Sequence, residues 1–292
     1  MPRWYITAVS FKMKKYLFVL SALVLFAFSS CKKFAGDPVS QNFNITGSYT
    51  ELEVQDAFDV TVSDAVDVVT ITVGEKVMPY VVVEVVDNTL KIRLKSVGTF
   101  YGGEQKAIIP FNADLTKVEL SGAAEFHTTY GLAGEKVEVD LSGASDFYGD
   151  IGANEVDIDM SGASNFYGDI LADEIDMDLS GGSDIKGNVA ANELDLDMTG
   201  ASDATLEGQV GTLKINLTGA SNIVKKVAGN CYALACDGCE GVMSGASGAY
   251  IHCDGNIRVN LSGASKLHFT GIGNPAESSM SGSSDVIHDV NP

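Results

Sequence analysis

A Ser/Thr-Gly pair returns at near-constant spacing through most of this chain, at Ser121, Ser142, Ser161, Ser180, Thr199, Thr218, Ser244, Ser262 and Ser281. Successive intervals are 21, 19, 19, 19, 19, 26, 18 and 19 residues. A fixed period near 19 is the mark of a solenoid, in which each repeat packs mainly on its neighbours.

Aligned by that pair, the repeats fall into columns. The residue before it is always Leu or Met: Leu120, Leu141, Met160, Leu179, Met198, Leu217, Met243, Leu261 and Met280. Three residues after the Ser/Thr stands Ser in every copy but Ala124. Five after stand Phe126, Phe147, Phe166, Ile185, Ala204, Ile223, Ala249, Leu267 and Val286, a second apolar column. Ahead of the pair the chain alternates, as in Val156, Ile158 and Met160, which is a strand with one buried face. Nineteen residues hold two or three short strands and tight corners, with no room for a helix. The Gly is the corner residue because it adopts positive φ without a Cβ clash. These features predict an all-β parallel β-helix of about nine ~19-residue coils. At ~4.8 Å per coil the rod is roughly 43 Å long. The Ser145, Ser164, Ser183, Ser202 and Ser221 hydroxyls are expected to form a ladder, each donating to the next.

Residues 1–30 carry Arg3, Lys12, Lys14 and Lys15 and no acid, and an apolar run follows from Tyr16 to Phe28. This is the order of a secretory signal, with Met13 as the expected start. The run is too short to span a bilayer comfortably. Phe28-Ser29-Ser30-Cys31 resembles a bacterial lipobox, with Phe where Leu is more usual, which implies lipidation at Cys31. The alternative is an ordinary signal with an incidental Cys. Residues 31–47 read as the lipidated Cys and a tether. Residues 48–115 lack the period and read as an amino-terminal β cap, with a hairpin through Asp87-Asn88. Residues 116–292 are the repeat β-helix. The whole chain has a net charge of −20, and removing residues 1–30 with their four basic groups makes it −24. That balance argues against nucleic-acid binding.

Phe58-Asp59-Val60-Thr61-Val62, Pro79-Tyr80, Asn88-Thr89-Leu90-Lys91-Ile92 and then Leu120-Ser121-Gly122-Ala123 with its repeats resemble the head GIN domain family, labelled putative auto-transporter adhesin. The resemblance covers about residues 43–290. It implies a secreted or lipid-anchored bacterial β-helical protein and carries no catalytic residues over.

Two acidic columns face away from the core. Asp140, Asp159, Asp178 and Asp197 sit two residues before the Ser/Thr; Glu138, Asp157, Asp176 and Asp195 sit four before. In register, neighbours repel by about 1 kcal/mol per pair in water. Calcium is the cation such oxygen rows would take, although neither the EF-hand nor the glycine-rich nonapeptide spacing is present. The other reading is a solvated acidic face. No firm metal site and no other cofactor follow from the sequence. A third polar column, from Glu125 and Asp146 to Asn222, is expected to serve the local backbone.

Cys231, Cys236, Cys239 and Cys253 leave three readings: a disulfide in an oxidising compartment, buried thiols, or metal. Tyr148 and Tyr167 stack by period on the outside, where they would offer a sugar platform or nothing at all. His127, His252, His268 and His288 share no column, and no catalytic set stands out. The expectation is a non-catalytic, extracytoplasmic adhesion or binding module. It would be held to the membrane as an outer-membrane lipoprotein of the cell envelope and would bind a host or envelope glycan or protein. The rivals are a structural envelope component without a ligand and a carbohydrate-active β-helix enzyme.

Overall fold

The computed structural model describes residues 33–95, 100–101, 103–229 and 231–290. Apart from a 3-10 turn at Met78–Tyr80, its regular elements are all strands. The signal segment and Cys31 lie outside the described residues.

The repeat region is a parallel β-solenoid whose coils superpose in register. Leu141 pairs with Met160, Met160 with Leu179, Leu179 with Met198, and Met198 with Leu217. Each coil has three faces, as in Val156–Met160 of Ile151–Met160, then Asn165–Tyr167, then Ile170–Leu171. The first face turns Val156, Ile158 and Met160 inward, the second Phe166, the third Ile170, and all five are buried. The 26-residue interval is longer because a small antiparallel hairpin, Val227–Ala228 against Cys231–Tyr232, bulges from the stack.

The corner needs glycine for two separate reasons. Gly143, Gly162 and Gly181 have φ of +79°, +81° and +80°. A Cβ on Gly162 would also lie 2.4 Å from the carbonyl oxygen of Gly143 in the coil before. Backbone approaches backbone here, so any side chain would prise the coils apart.

The serine column is buried, but its bonding differs from the expected ladder. Ser145 Oγ donates to the Ser142 carbonyl at 3.0 Å, and the Leu120 carbonyl of the preceding coil is 3.5 Å away. Ser221 repeats this with Thr218 at 2.9 Å and Met198 at 3.2 Å. Each hydroxyl therefore satisfies corner carbonyls rather than the next hydroxyl, because coil spacing exceeds hydroxyl reach.

The cap continues the stack, but out of chain order. Glu51–Val54 and Asp59–Ser63 form a coil directly under Lys117–Leu120 and Glu125–His127. Thr89–Leu94 and Lys106–Pro110, later in sequence, stack on the far side of that coil. Val81–Val86 then pairs antiparallel with Thr89–Leu94 through Asp87 and Asn88, whose φ values of 50° and 72° are those of a type I′ turn. Antiparallel strands thus cover the open end of the solenoid. The expected tether is partly strand: Pro38–Phe43 pairs antiparallel with Val69–Gly74 and belongs to the cap.

Candidate functional site

The alternation that buries Val156, Ile158 and Met160 sends Asp157 and Asp159 outward, and register does the rest. One row runs Glu119, Asp140, Asp159, Asp178, Asp197, Asn216. The other runs Lys117, Glu138, Asp157, Asp176, Asp195, Lys214. The first row and the corner residues Ser142, Ser161, Ser180 and Thr199 line an open groove of about 540 Å³.

Cations sit at the ends of the rows. Lys117 lies 3.1 Å from Glu138 and 3.0 Å from Asp140. Lys136 reaches Glu155 at 2.7 Å and Asp157 at 2.5 Å. Lys214 pairs with Glu193. Among the described residues, no ion pair reaches Asp159, Asp176, Asp178 or Asp197. Partial burial, and then the neighbouring carboxylates, raise Asp159 and Asp178 above the usual carboxylate range. Burial also raises Asp195, helped most by Asp197. Asp176, in the middle of its row, is pushed up to about 6 by burial and by Asp195, Asp178 and Asp157.

The third polar column bonds along the stack as well as to its own backbone, where Asn222 Nδ2 also donates to the Ala220 carbonyl at 3.0 Å. Asn165 Nδ2 donates to Asp146 Oδ1 at 2.6 Å, and Asn222 Nδ2 to Asp203 Oδ1 at 3.0 Å. Beside it, Tyr148 and Tyr167 do stack, with centroids 4.9 Å apart. His127 extends the stack at 4.5 Å, and Lys186 Nζ closes it 5.5 Å from the Tyr167 centroid. The stacked ring faces cover one another, so mainly edges reach solvent. A sugar platform needs an open face, and this ladder works instead as outer bracing.

The four cysteines are free thiols. Cys239 lies in a core column between Leu213 and Ile257. Cys236 and Cys253 are register partners on adjacent coils. Their mutual hydrogen bond, and then burial, push the Cys236 thiol up, and burial does the same to Cys239. Cys231 stands apart in the bulging hairpin.

The histidines are dispersed as the sequence implied. His252 Nδ1 is 3.0 Å from the Thr270 hydroxyl, and His288 Nε2 is 2.9 Å from the Gly271 carbonyl oxygen. His268 bonds Asp289 at 2.9 Å, and the buried Tyr232 donates to the same carboxylate, which ties the hairpin to the chain's last coil. Neither arginine of the described chain enters the groove: Arg93 pairs with Glu84 and Arg258 with Glu277. One grouping escaped the sequence reading. Asp59 of the cap meets Glu125 and His127 of the first repeat coil, a contact invisible without the cap's register.

The family model described as "Putative auto-transporter adhesin, head GIN domain" matches residues 48–188 and 164–275. A putative adhesin from Parabacteroides merdae is 16% identical, with 88% of this chain and 98% of that one covered and a TM-score of 0.62. One from Parabacteroides distasonis is 18% identical over 88% and 97%, with a TM-score of 0.58. A putative lipid binding protein from the same species is 18% identical over 87% and 97%, also at 0.58. At such identities the likeness concerns the fold. No curated protein matches the chain.

Proposed function

The chain belongs to the head GIN domain family, and from that premise we propose that it is a non-catalytic binding module of a bacterial cell envelope. It is anchored there through a lipidated Cys31, as an outer-membrane lipoprotein, and presents its acidic groove to a protein or glycan. The observation that carries this reading is the run Asp159, Asp178 and Asp197 along one groove, with no cation of the described chain paired to any of them. An unneutralised row of like charges costs stability, so its natural complement is a ligand with basic groups repeated at about the coil spacing of ~4.8 Å. Basic protein segments and amino-sugar glycans have that character. The solenoid interior is filled by Leu, Met, Ile and Phe, which leaves the outer surface for recognition. A second groove does bring Lys214 and Arg258 beside Glu193, Asp237 and Glu240, but these two cations pair with Glu193 and Glu277, which weighs against the carbohydrate-active reading.

The test is an array of basic peptides, amino-sugar glycans and polyuronates probed with the purified protein and with a triple variant, Asp159→Asn, Asp178→Asn and Asp197→Asn. Wild type is expected to bind a cationic class in a salt-dependent way, and the triple variant to lose at least about tenfold in affinity. Binding unchanged by the triple variant would place recognition away from the acidic groove and overturn this reading, and no binding to any class would leave a structural envelope protein. Turnover of a polyuronate would point to an enzyme.

A further inference from the structure

Among the described residues, three ligand-type side chains converge once, away from the acidic rows, at the joint between the cap and the first repeat coil. Asp59, Glu125 and His127 each offer an atom within 4.8 Å of the others. Asp59 opens the strand Asp59–Ser63 and lies in register with Glu125, as Thr61 does with His127. Phe126 between them is fully buried, so Glu125 and His127 emerge together on the outer face.

The cluster is loosely joined, with room between its ligand atoms. His127 Nε2 lies 3.4 Å from Glu125 Oε2 and 3.7 Å from Asp59 Oδ1. An N–H···O bond prefers ~2.7–3.2 Å, so the first is a long hydrogen bond and the second lies beyond hydrogen-bond reach. A tetrahedral ion with bonds of ~2.0–2.2 Å would hold its ligand atoms about 3.3–3.6 Å apart, close to what is observed. The imidazole is already oriented, because its ring lies 4° from parallel to that of Tyr148 at 4.5 Å. Lys106, the register partner of Asp59, pairs with Glu104 at 3.0 Å instead. Next to His127 a shallow groove lined by Thr61, Thr128 and Tyr148 leaves space for a further ligand.

We propose that Asp59, Glu125 and His127 bind one divalent transition-metal ion of the zinc class, through one imidazole nitrogen and two carboxylate oxygens. A fourth position stays open to water or to a partner's side chain. Imidazole with carboxylates suits zinc, whereas calcium takes six to eight oxygens. The site occurs once because the same two columns hold Asp146 with Tyr148, Asn165 with Tyr167 and Asp184 with Lys186 on the following coils. The ion would clip the cap to the rod.

Calorimetric titration of the chelator-stripped protein with zinc chloride, alongside thermal unfolding, tests this. One equivalent is expected to bind and to raise the unfolding temperature. His127→Gln and Glu125→Gln should each weaken binding by at least about tenfold, and Asp176→Asn should leave it unchanged. Calcium should bind at least about tenfold more weakly than zinc. The proposal is overturned if zinc gives no heat, or if His127→Gln binds as wild type does. Binding that persists in His127→Gln but is lost in Cys236→Ser would place the ion on the cysteines and also overturn it. Equal binding of calcium would overturn the ion class.

Discussion

The same coil-on-coil stacking acts in opposite directions on the inner side of one face of the solenoid and the outer side of another. Inside, Phe126, Phe147 and Phe166 stack with centroids 5.3 and 4.9 Å apart, fully buried. Each such contact adds about 0.5–1.5 kcal/mol to the burial of the ring. Outside, Asp157, Asp176 and Asp195 are held at the same strand spacing and repel. A repeat cannot place one residue without placing its neighbours, so every favourable inner column fixes an outer column too. The inner columns therefore carry the stability, and the acidic rows are a burden on the fold that a surface role would explain.

The comparison can be broken most sharply from the inside. Phe147→Ala removes a ring in contact with both Phe126 and Phe166. It should cost about 3–5 kcal/mol in denaturant unfolding, because coils locked in register cannot collapse onto the cavity. Phe147→Leu should recover more than half of that. A loss below about 1 kcal/mol for the alanine variant would mean that the inner column does not carry the stack.

A smaller effect tests adjacency directly. Cys236 and Cys253 are in-register partners, and adjacent parallel strands at ~4.8 Å fall within the Cα range a disulfide spans. Exposure to an oxidised dithiol should link them with the loss of two hydrogens, the reagent being reduced. The gain should be about 3 kcal/mol for a loop of this length. Peptide mapping that finds Cys239 in the link, or no link at all, would contradict the register or favour the buried-thiol reading.

The repeat was legible because one coil's pattern is the next coil's neighbour. Leu141 against Met160, the glycine corner, and both acidic rows follow from period alone. The cap was not legible in detail, because Thr89–Leu94 stacks on Glu51–Val54 from the side opposite to Lys117–Leu120. Only antiparallel partners such as Val81–Val86 make that reversal possible, and their register depends on one tight turn. Asp59 was missed for the same reason, since it reaches His127 through that reordered stack. The serine column was placed correctly but its bonding was not, because a hydroxyl reaches a corner carbonyl more easily than another hydroxyl one coil away.

The smallest expected effect belongs to the outer column and turns on sign. Asp176 titrates at about 6 in the folded chain, above its ordinary 3.8. A raised acid stabilises the fold below the ordinary value, and that contribution is lost as pH rises through the folded value. Wild type should therefore be weaker at pH 7 than at pH 5 relative to Asp176→Asn, which cannot ionise there. After allowance for solvent screening of an exposed group, the variant should be more stable by about 1 kcal/mol at pH 7, with the difference fading towards pH 4. Taking the difference between the two proteins cancels the titration of the remaining carboxylates to first order. Added salt should shrink it, since exposed charges are screened within ~10 Å. Millimolar calcium distinguishes the two readings of the rows. An ion held between Asp157, Asp176 and Asp195 would strengthen wild type alone and erase the variant's advantage, whereas a solvated acidic face would respond no differently to calcium than to magnesium at equal ionic strength.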